Sequence, residues 1–169
     1  AFGTLEGDTI RVHSGDMFAG AQPTGETVAL KDVKVLTPCT PSKMIALWNN
    51  FKALAAKLGN PAPTAPLYLL KAPNSFLAHG ETIRKPASYD GKVVYEGELG
   101  IVIGKRAHAV SEADAPKYIF GYTIVNDVTA AEIINADKTF AQWVRAKSFD
   151  TFGVFGPVIE TDVDPMTLS

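Results

Sequence analysis

The chain has 169 residues, 46% apolar and 20% charged, with sixteen basic and eighteen acidic side chains for a formal net charge of −2. That composition belongs to an ordinary globular protein long enough to bury one core, and it excludes a disordered chain. The charge balance leaves no footprint for nucleic acid or an anionic membrane, and no stretch approaches the roughly twenty apolar residues of a bilayer span, so neither partner is expected.

Residues 1–36 predict a small N-terminal β lobe. Thr9-Ile10-Arg11-Val12 alternates, and Glu6-Gly7-Asp8, Ser14-Gly15-Asp16 and Gln22-Pro23-Thr24-Gly25 carry turn chemistry. His13 is expected in a turn. Thr37-Pro38-Cys39-Thr40-Pro41-Ser42 forms the joint to a second domain, 37–169, because two prolines block regular structure there. Cys39 is the lone cysteine, which rules out an intrachain disulfide and fits a reducing, cytoplasmic setting. With no histidine adjacent in sequence, it reads as a passive small residue.

Met44, Leu47, Trp48, Phe51, Leu54, Ala55 and Leu58 recur at helical steps and predict a helix over 44–58, capped by Ser42 and stopped by Gly59 and Pro61. The alternative is a strand over Met44–Trp48 leading into a shorter helix. A proline-rich loop follows, then a short strand from Leu67 to Leu70. Lys92 to Gly104 is the strongest strand, and Ile119 to Asp127 a second. Ser111 to Ala115 reads as a capped helical turn, and Thr129 to Lys138 as a short helix. Strands and helices mix without regular alternation, so the expected class is α+β.

The chemistry lies in Tyr95-Glu96-Gly97-Glu98-Leu99. Alternation puts Glu96 and Glu98 on one strand face, about 7 Å apart. Two carboxylates ~6 Å apart repel by about 3 kcal/mol at an effective dielectric of 20. A divalent cation would offset that repulsion; a solvated edge strand would do so as well. Gly97 and Gly100 favour the first reading, because interior strand glycines often mark close approach of a ligand or backbone. Asp127 ends the second strand, where it could line the same site or cap the turn toward Thr129.

Three stretches resemble the fumarylacetoacetate hydrolase family: Tyr95 to Leu99, Gly121-Tyr122-Thr123-Ile124-Val125-Asn126-Asp127-Val128-Thr129, and Ala146-Lys147-Ser148-Phe149-Asp150-Thr151-Phe152 with Gly156-Pro157. Lys71-Ala72-Pro73-Asn74-Ser75 resembles the family's earlier substrate-side loop. The resemblance implies a mixed β-roll, usually dimeric, in which Glu96, Glu98 and Asp127 bind Mg²⁺ or Mn²⁺, with Ca²⁺ as a substitute. It assigns Lys147 to the developing enolate charge and Lys71 and Ser75 to the substrate. By residue type alone Lys147 is a surface lysine with an apolar stem, or one whose pKa falls on burial beside Trp143 and Phe149.

The implied reaction is hydrolysis of a C–C bond in a small 2-oxo acid such as an acylpyruvate, through an enolate. Two features depart from the family pattern. The water-activating His and Glu of hydrolytic members fall on Leu54 and Lys57, and the Arg and Gln expected after the metal Asp are absent from Thr129-Ala130-Ala131-Glu132-Ile133-Ile134. Decarboxylation and keto–enol isomerisation, which need no activated water, are the alternatives, followed by a non-catalytic 2-oxo acid binder. Family domains also continue past Asp164-Pro165-Met166, so the chain is expected to be C-terminally incomplete. His79 is the histidine nearest the Lys71 loop.

Overall fold

A computed structural model describes residues 1–168. The strands are β1 (Phe2–Glu6), β2 (Thr9–Ser14), β3 (Gln22–Ala29), β4 (Met44–Trp48), β5 (Leu67–Lys71), β6 (Phe76–Leu77), β7 (Val93–Val94), β8 (Gly97–Ile103), β9 (Ile119–Asp127), β10 (Thr129–Ala130) and β11 (Gly153–Glu160). Helices α1 (Lys52–Leu58), α2 (Ala131–Ile134) and α3 (Trp143–Lys147) are short. Four small sheets with scattered helices make the fold α+β, as the irregular mixture of elements predicts.

Packing divides the chain into two compact units. The first holds Ala1–Pro38, Leu99–Ile124 and the chain from Gly156 on. Its antiparallel β1-β2-β3 sheet pairs Phe2 with His13 and Thr9 with Ala29, and slips register between Arg11 and His13. His13 therefore sits in β2, not in a turn, and its ring meets Thr4 Oγ1 at 3.0 Å. Ser111 caps its turn as expected: its hydroxyl accepts from Asp114 N at 3.2 Å, and a 3-10 turn over Ala115–Tyr118 follows. Gly121 is required by packing, since a Cβ there would lie 2.5 Å from Glu160 O.

The second unit holds Cys39–Glu98 and Val125–Phe155. Its core joins Tyr89, Val128, Ala130, Ile133, Ala146 and Phe152. The helix expected over 44–58 is instead β4 followed by α1, which was the alternative reading. Non-local pairing decides this: β4 lies antiparallel to β5, with Met44 opposite Lys71 and Trp48 opposite Leu67. A five-residue apolar run satisfies either period, and the partner strand supplies hydrogen bonds that a lone helix end lacks. Ser42 therefore caps nothing. Gly59, at φ 70°, does end α1.

The helix expected over 129–138 shrinks to α2, because Thr129 and Ala130 first pair with Val94 and Val93. Glu132, at the start of α2, accepts hydrogen bonds from Tyr89 Oη and from Lys92 N. The strand expected over 92–104 is broken between β7 and β8, at Tyr95 and Glu96. That break shapes the site.

Candidate metal centre

Strand β9 delivers Asp127. Alternation buries Gly121, Thr123, Val125 and Asp127 on one face, and the aspartate closes the series at 1% exposure. Its neighbour Asn126 points the other way, and its Oδ1 accepts from Glu96 N at 3.2 Å. Asp127 N in turn donates to Glu96 O at 2.9 Å. These two bonds pin Glu96 beside the end of β9 and turn the chain into β8, which begins with Gly97 and Glu98. The pair does not lie along one uninterrupted strand as expected. It still converges: one carboxylate oxygen each from Glu96, Glu98 and Asp127 lies within 4.8 Å of the others.

Two lysines reach the cluster from distant elements. Lys71, the last residue of β5, is 1% exposed and donates to Asp127 Oδ1 and to Val128 O, the latter at 3.2 Å. Lys147, the last residue of α3, is 3% exposed. Its Nζ donates to Asp127 Oδ2 at 2.6 Å, to Glu96 Oε2 at 2.9 Å and to Thr129 Oγ1 at 2.8 Å. Lys147 is thus a buried lysine and not a surface one. Asp127 faces two cations and is not a helix cap. Thr129 has no role in the sequence reading beyond the resemblance. Its signal is the two-residue step from Asp127, which returns its side chain to the same face.

Two lysines against three carboxylates leave one net negative charge. Glu98 carries the strain. Its side chain forms no hydrogen bond or ion pair with any described residue, and its pKa is pushed up to about 7. Desolvation is the main cause, reinforced by Asp127 and Glu96 and opposed by Lys147 and Lys71. Burial also pulls the Lys71 ammonium down, against the attraction of Asp127.

The donor set fits a hard divalent cation. All three side chains offer carboxylate oxygen, the ligand that Mg²⁺, Mn²⁺ and Ca²⁺ prefer. Oxygens on opposite sides of such an ion are roughly 4–5 Å apart, which suits the observed spacing. A dication would also neutralise Glu98.

The cluster opens onto a cavity of about 370 Å³. Glu96, Glu98, Asp127 and Lys147 line one part; Trp48, Phe51, Leu54 and Trp143 line much of the rest. Trp143 and Lys147 share a face of α3 through their four-residue spacing. Lys71 and Ser75, expected on the substrate side, are not among the lining residues. Lys71 is spent on Asp127, and the Ser75 hydroxyl donates to Ala72 O at 2.7 Å beneath Gly153. His79 is exposed and does not line the cavity. A Cβ on Gly97 would meet no atom of the described residues within 4 Å, so no backbone among them makes the close approach there. Cys39 is half-buried, and burial raises its thiol pKa, in keeping with a passive role.

Fold and acid cluster together define an α+β chain with a carboxylate cluster able to hold a divalent cation. The Fumarylacetoacetate (FAA) hydrolase C-terminal pattern matches residues 43–168, and an N-terminal pattern described as Rv2993c-like matches residues 1–38. The chain belongs to the fumarylacetoacetate hydrolase family. It is 33% identical over 163 residues to the oxaloacetate tautomerase YisK of Bacillus subtilis, covering 91% of this chain and 53% of that protein. The crystal structure of 2-hydroxyhepta-2,4-diene-1,7-dioate isomerase from Mycobacterium marinum matches with a TM-score of 0.80 at 38% identity, over 93% of this chain and 57% of that one. Maleylpyruvate hydrolase from Sphingobium, solved with manganese(II) and pyruvate, matches with a TM-score of 0.63 at 28% identity, over 81% and 45%. The chain spans 56% to 63% of the length of such curated relatives as those from Archaeoglobus fulgidus and Mycobacterium tuberculosis. None of the helices among the described residues is long and apolar enough to cross a membrane.

Proposed function

We propose that this chain carries a divalent-cation site that takes the 2-oxo carboxylate end of a small organic acid and interconverts its keto and enol forms. The convergence of Glu96, Glu98 and Asp127 with Lys147 Nζ at the cavity carries this reading. Mg²⁺ is the proposed ion, with Mn²⁺ as its substitute; the manganese and pyruvate of the Sphingobium structure support both ion class and ligand class. When bound, the dication supplies Lewis acidity at the carboxylate and 2-oxo oxygens of the substrate.

The chain's own residues orient and balance charge. With a 2-oxo acid held at the cluster, the Lys147 ammonium would supply positive charge to offset the enolate. Thr129, Glu96 and Asp127 hold that ammonium in place. Lys71 grips the other Asp127 oxygen, so the carboxylate cannot rotate away from the cluster.

Keto–enol chemistry takes precedence over the hydrolysis first implied by the resemblance. Leu54 lines the cavity where hydrolytic members carry histidine, and no histidine lines it among the described residues. The tautomerase and isomerase among the relatives support the same choice. Hydrolytic C–C cleavage is the second reading, favoured by the likeness to maleylpyruvate hydrolase. A cytoplasmic homodimer is proposed on the family resemblance alone.

The test is calorimetric titration of the full-length protein with Mg²⁺ and Mn²⁺, together with ultraviolet measurement of enol decay for 2-oxo acids. Cation-dependent acceleration that disappears in Glu98→Ala supports the proposal. Absence of cation binding, or binding unchanged in Glu98→Ala, overturns it. Cation-dependent release of two acids from an acylpyruvate, with no effect on enol decay, selects the second reading.

A further inference from the structure

Each member of the Lys71–Asp127–Lys147 triad is followed in the chain by a residue tied to one segment, 148–152. Ala72 N, after Lys71, donates to the Ser148 hydroxyl at 2.9 Å. Val128 N, after Asp127, donates to Phe152 O at 3.1 Å. Ser148 itself follows Lys147.

The segment is anchored at both ends. Helix α3 has five residues, with Ser148 as its C-cap. Helices shorter than ~12–15 residues are marginal on their own in water, so bonds from outside α3 must place Lys147. A carbonyl at a helix end has no partner within its helix. The Ser148 carbonyl finds one in Asn74 Nδ2, at 3.1 Å. The same amide donates to Asp150 Oδ1 at 2.8 Å. Asn74 lies in the 3-10 turn Pro73–Ser75, which begins two residues past Lys71. Ser148 and Asn74 thus clamp the chain after Lys71 to the chain after Lys147. At the far end Thr151 has φ 72°, a left-handed conformation that β-branched residues rarely adopt and that persists only where the surroundings hold it. Its Oγ1 accepts from Arg84 N at 2.8 Å.

Both lysines reach Asp127 on flexible stems. A shift of either backbone passes to the ammonium, and a misplacement of about 1 Å can cost a site ~100-fold. We infer that Ser148 and Asn74 are positioning residues, which fix the backbone after Lys147 against the backbone after Lys71 and so keep the Lys147 ammonium aimed at a 2-oxo acid held at the cluster. The inference rests on the proposed binding of a 2-oxo carboxylate at the cation site, and it deepens that reading by naming what holds the site's cationic side chain in place.

The experiment is calorimetry on the full-length protein with two probes, Mg²⁺ alone and oxalate in saturating Mg²⁺. In Ser148→Ala, Mg²⁺ affinity is expected to stay within about threefold, because the three carboxylates remain. Oxalate affinity is expected to fall ~10- to 100-fold, the range typical of partners one step removed from a site. Ser148→Thr keeps the hydroxyl and should restore oxalate affinity to within about threefold. Asn74 is exposed, so Asn74→Ala is compatible with the fold and decides the matter should Ser148→Ala fail to fold. It is expected to weaken oxalate about 3- to 10-fold, the worth of one hydrogen bond. Oxalate affinity unchanged in these alanine variants overturns the inference and leaves the cation site standing. A parallel fall of Mg²⁺ and oxalate affinity, or no rescue by Ser148→Thr, assigns the clamp to the fold alone and overturns it as well. Failure of oxalate to bind the parent protein with Mg²⁺ overturns the underlying reading and the inference with it.

Discussion

Lys71 and Asp127 form an ion pair closed to solvent, each residue 1% exposed, joining the end of β5 to the end of β9. Asp127 completes its second oxygen with Lys147, so one carboxylate is held between two ammonium groups. Removing one partner of such a pair strands a buried charge. Lys71→Met is expected to lower stability by about 3–5 kcal/mol, read as a lower denaturant midpoint at unchanged slope. A loss below ~1 kcal/mol would mean that the pair is solvated in solution.

Glu98 is the cluster acid with no hydrogen-bonding partner among the described residues. Glu98→Gln is nearly isosteric and removes the repulsion with Asp127 and Glu96. Cation affinity is expected to fall more than ~100-fold, beyond the ~10- to 100-fold typical of outer-shell partners. The cation-free variant is expected to melt at or above the parent temperature near pH 8. Scanning calorimetry with and without Mg²⁺ measures both.

The pH dependence follows from the same residue. The Glu98 carboxyl is raised from 4.5 to about 7. A raised folded pKa contributes stability that is fully present below pH 4.5 and lost as pH climbs through about 7. Cation binding needs the ionised form, so Mg²⁺ affinity should climb with pH and level off above about 7, falling tenfold per unit below it. The Mg²⁺-induced rise in melting temperature should therefore be small at pH 5 and large at pH 8. An affinity flat from pH 5 to 8 would contradict the assignment.

Thr129 Oγ1 accepts from Lys147 Nζ and lies 3.2 Å from Glu96 Oε1. Thr129→Val keeps the shape and deletes the acceptor. Leaving a buried donor unmet costs about 1–3 kcal/mol, and turnover is expected to drop with little change in KM. Thr129→Ser should restore most of the rate in a steady-state assay.

Phe152 is fully buried and packs on Phe149, with ring centroids 5.5 Å apart. Phe152→Ala should destabilise the fold by about 3–5 kcal/mol. Val128 N donates to Phe152 O at 3.1 Å, so loosening here lies next to the cluster. Thermal melts should also show a smaller stabilising effect of Mg²⁺ in this variant.

Much of the site was legible in the sequence. Carboxylates two residues apart in an apolar run, and an aspartate ending a second one, identify a charge problem before any fold is known. Three aspects were not legible. The break at Tyr95 and Glu96 arises because the Asn126 side chain captures a backbone amide thirty residues away. Which of its two readings Met44–Trp48 takes, strand or helix, is decided only by its pairing with β5. The burial of Lys71 behind Asp127, and not on the cavity wall, depends on where β5 ends. Each is a tertiary decision that local periodicity does not encode. β9, by contrast, has the predicted bounds, because its turn signals and alternation agree.

The wide spacing of the cluster along the chain bears on how the protein reaches its native state. Lys71 and Asp127 are separated by 56 residues, Lys147 and Glu96 by 51. Closing loops of that length is entropically slow, and high contact order lengthens the search for the folded state. The lysines are therefore expected to meet the acids late in the collapse of the second unit, outside the folding nucleus. Substitutions there should hasten unfolding more than they retard folding. A cation that joins the finished cluster would act as a latch on the native state, set after assembly and governing how long the fold persists.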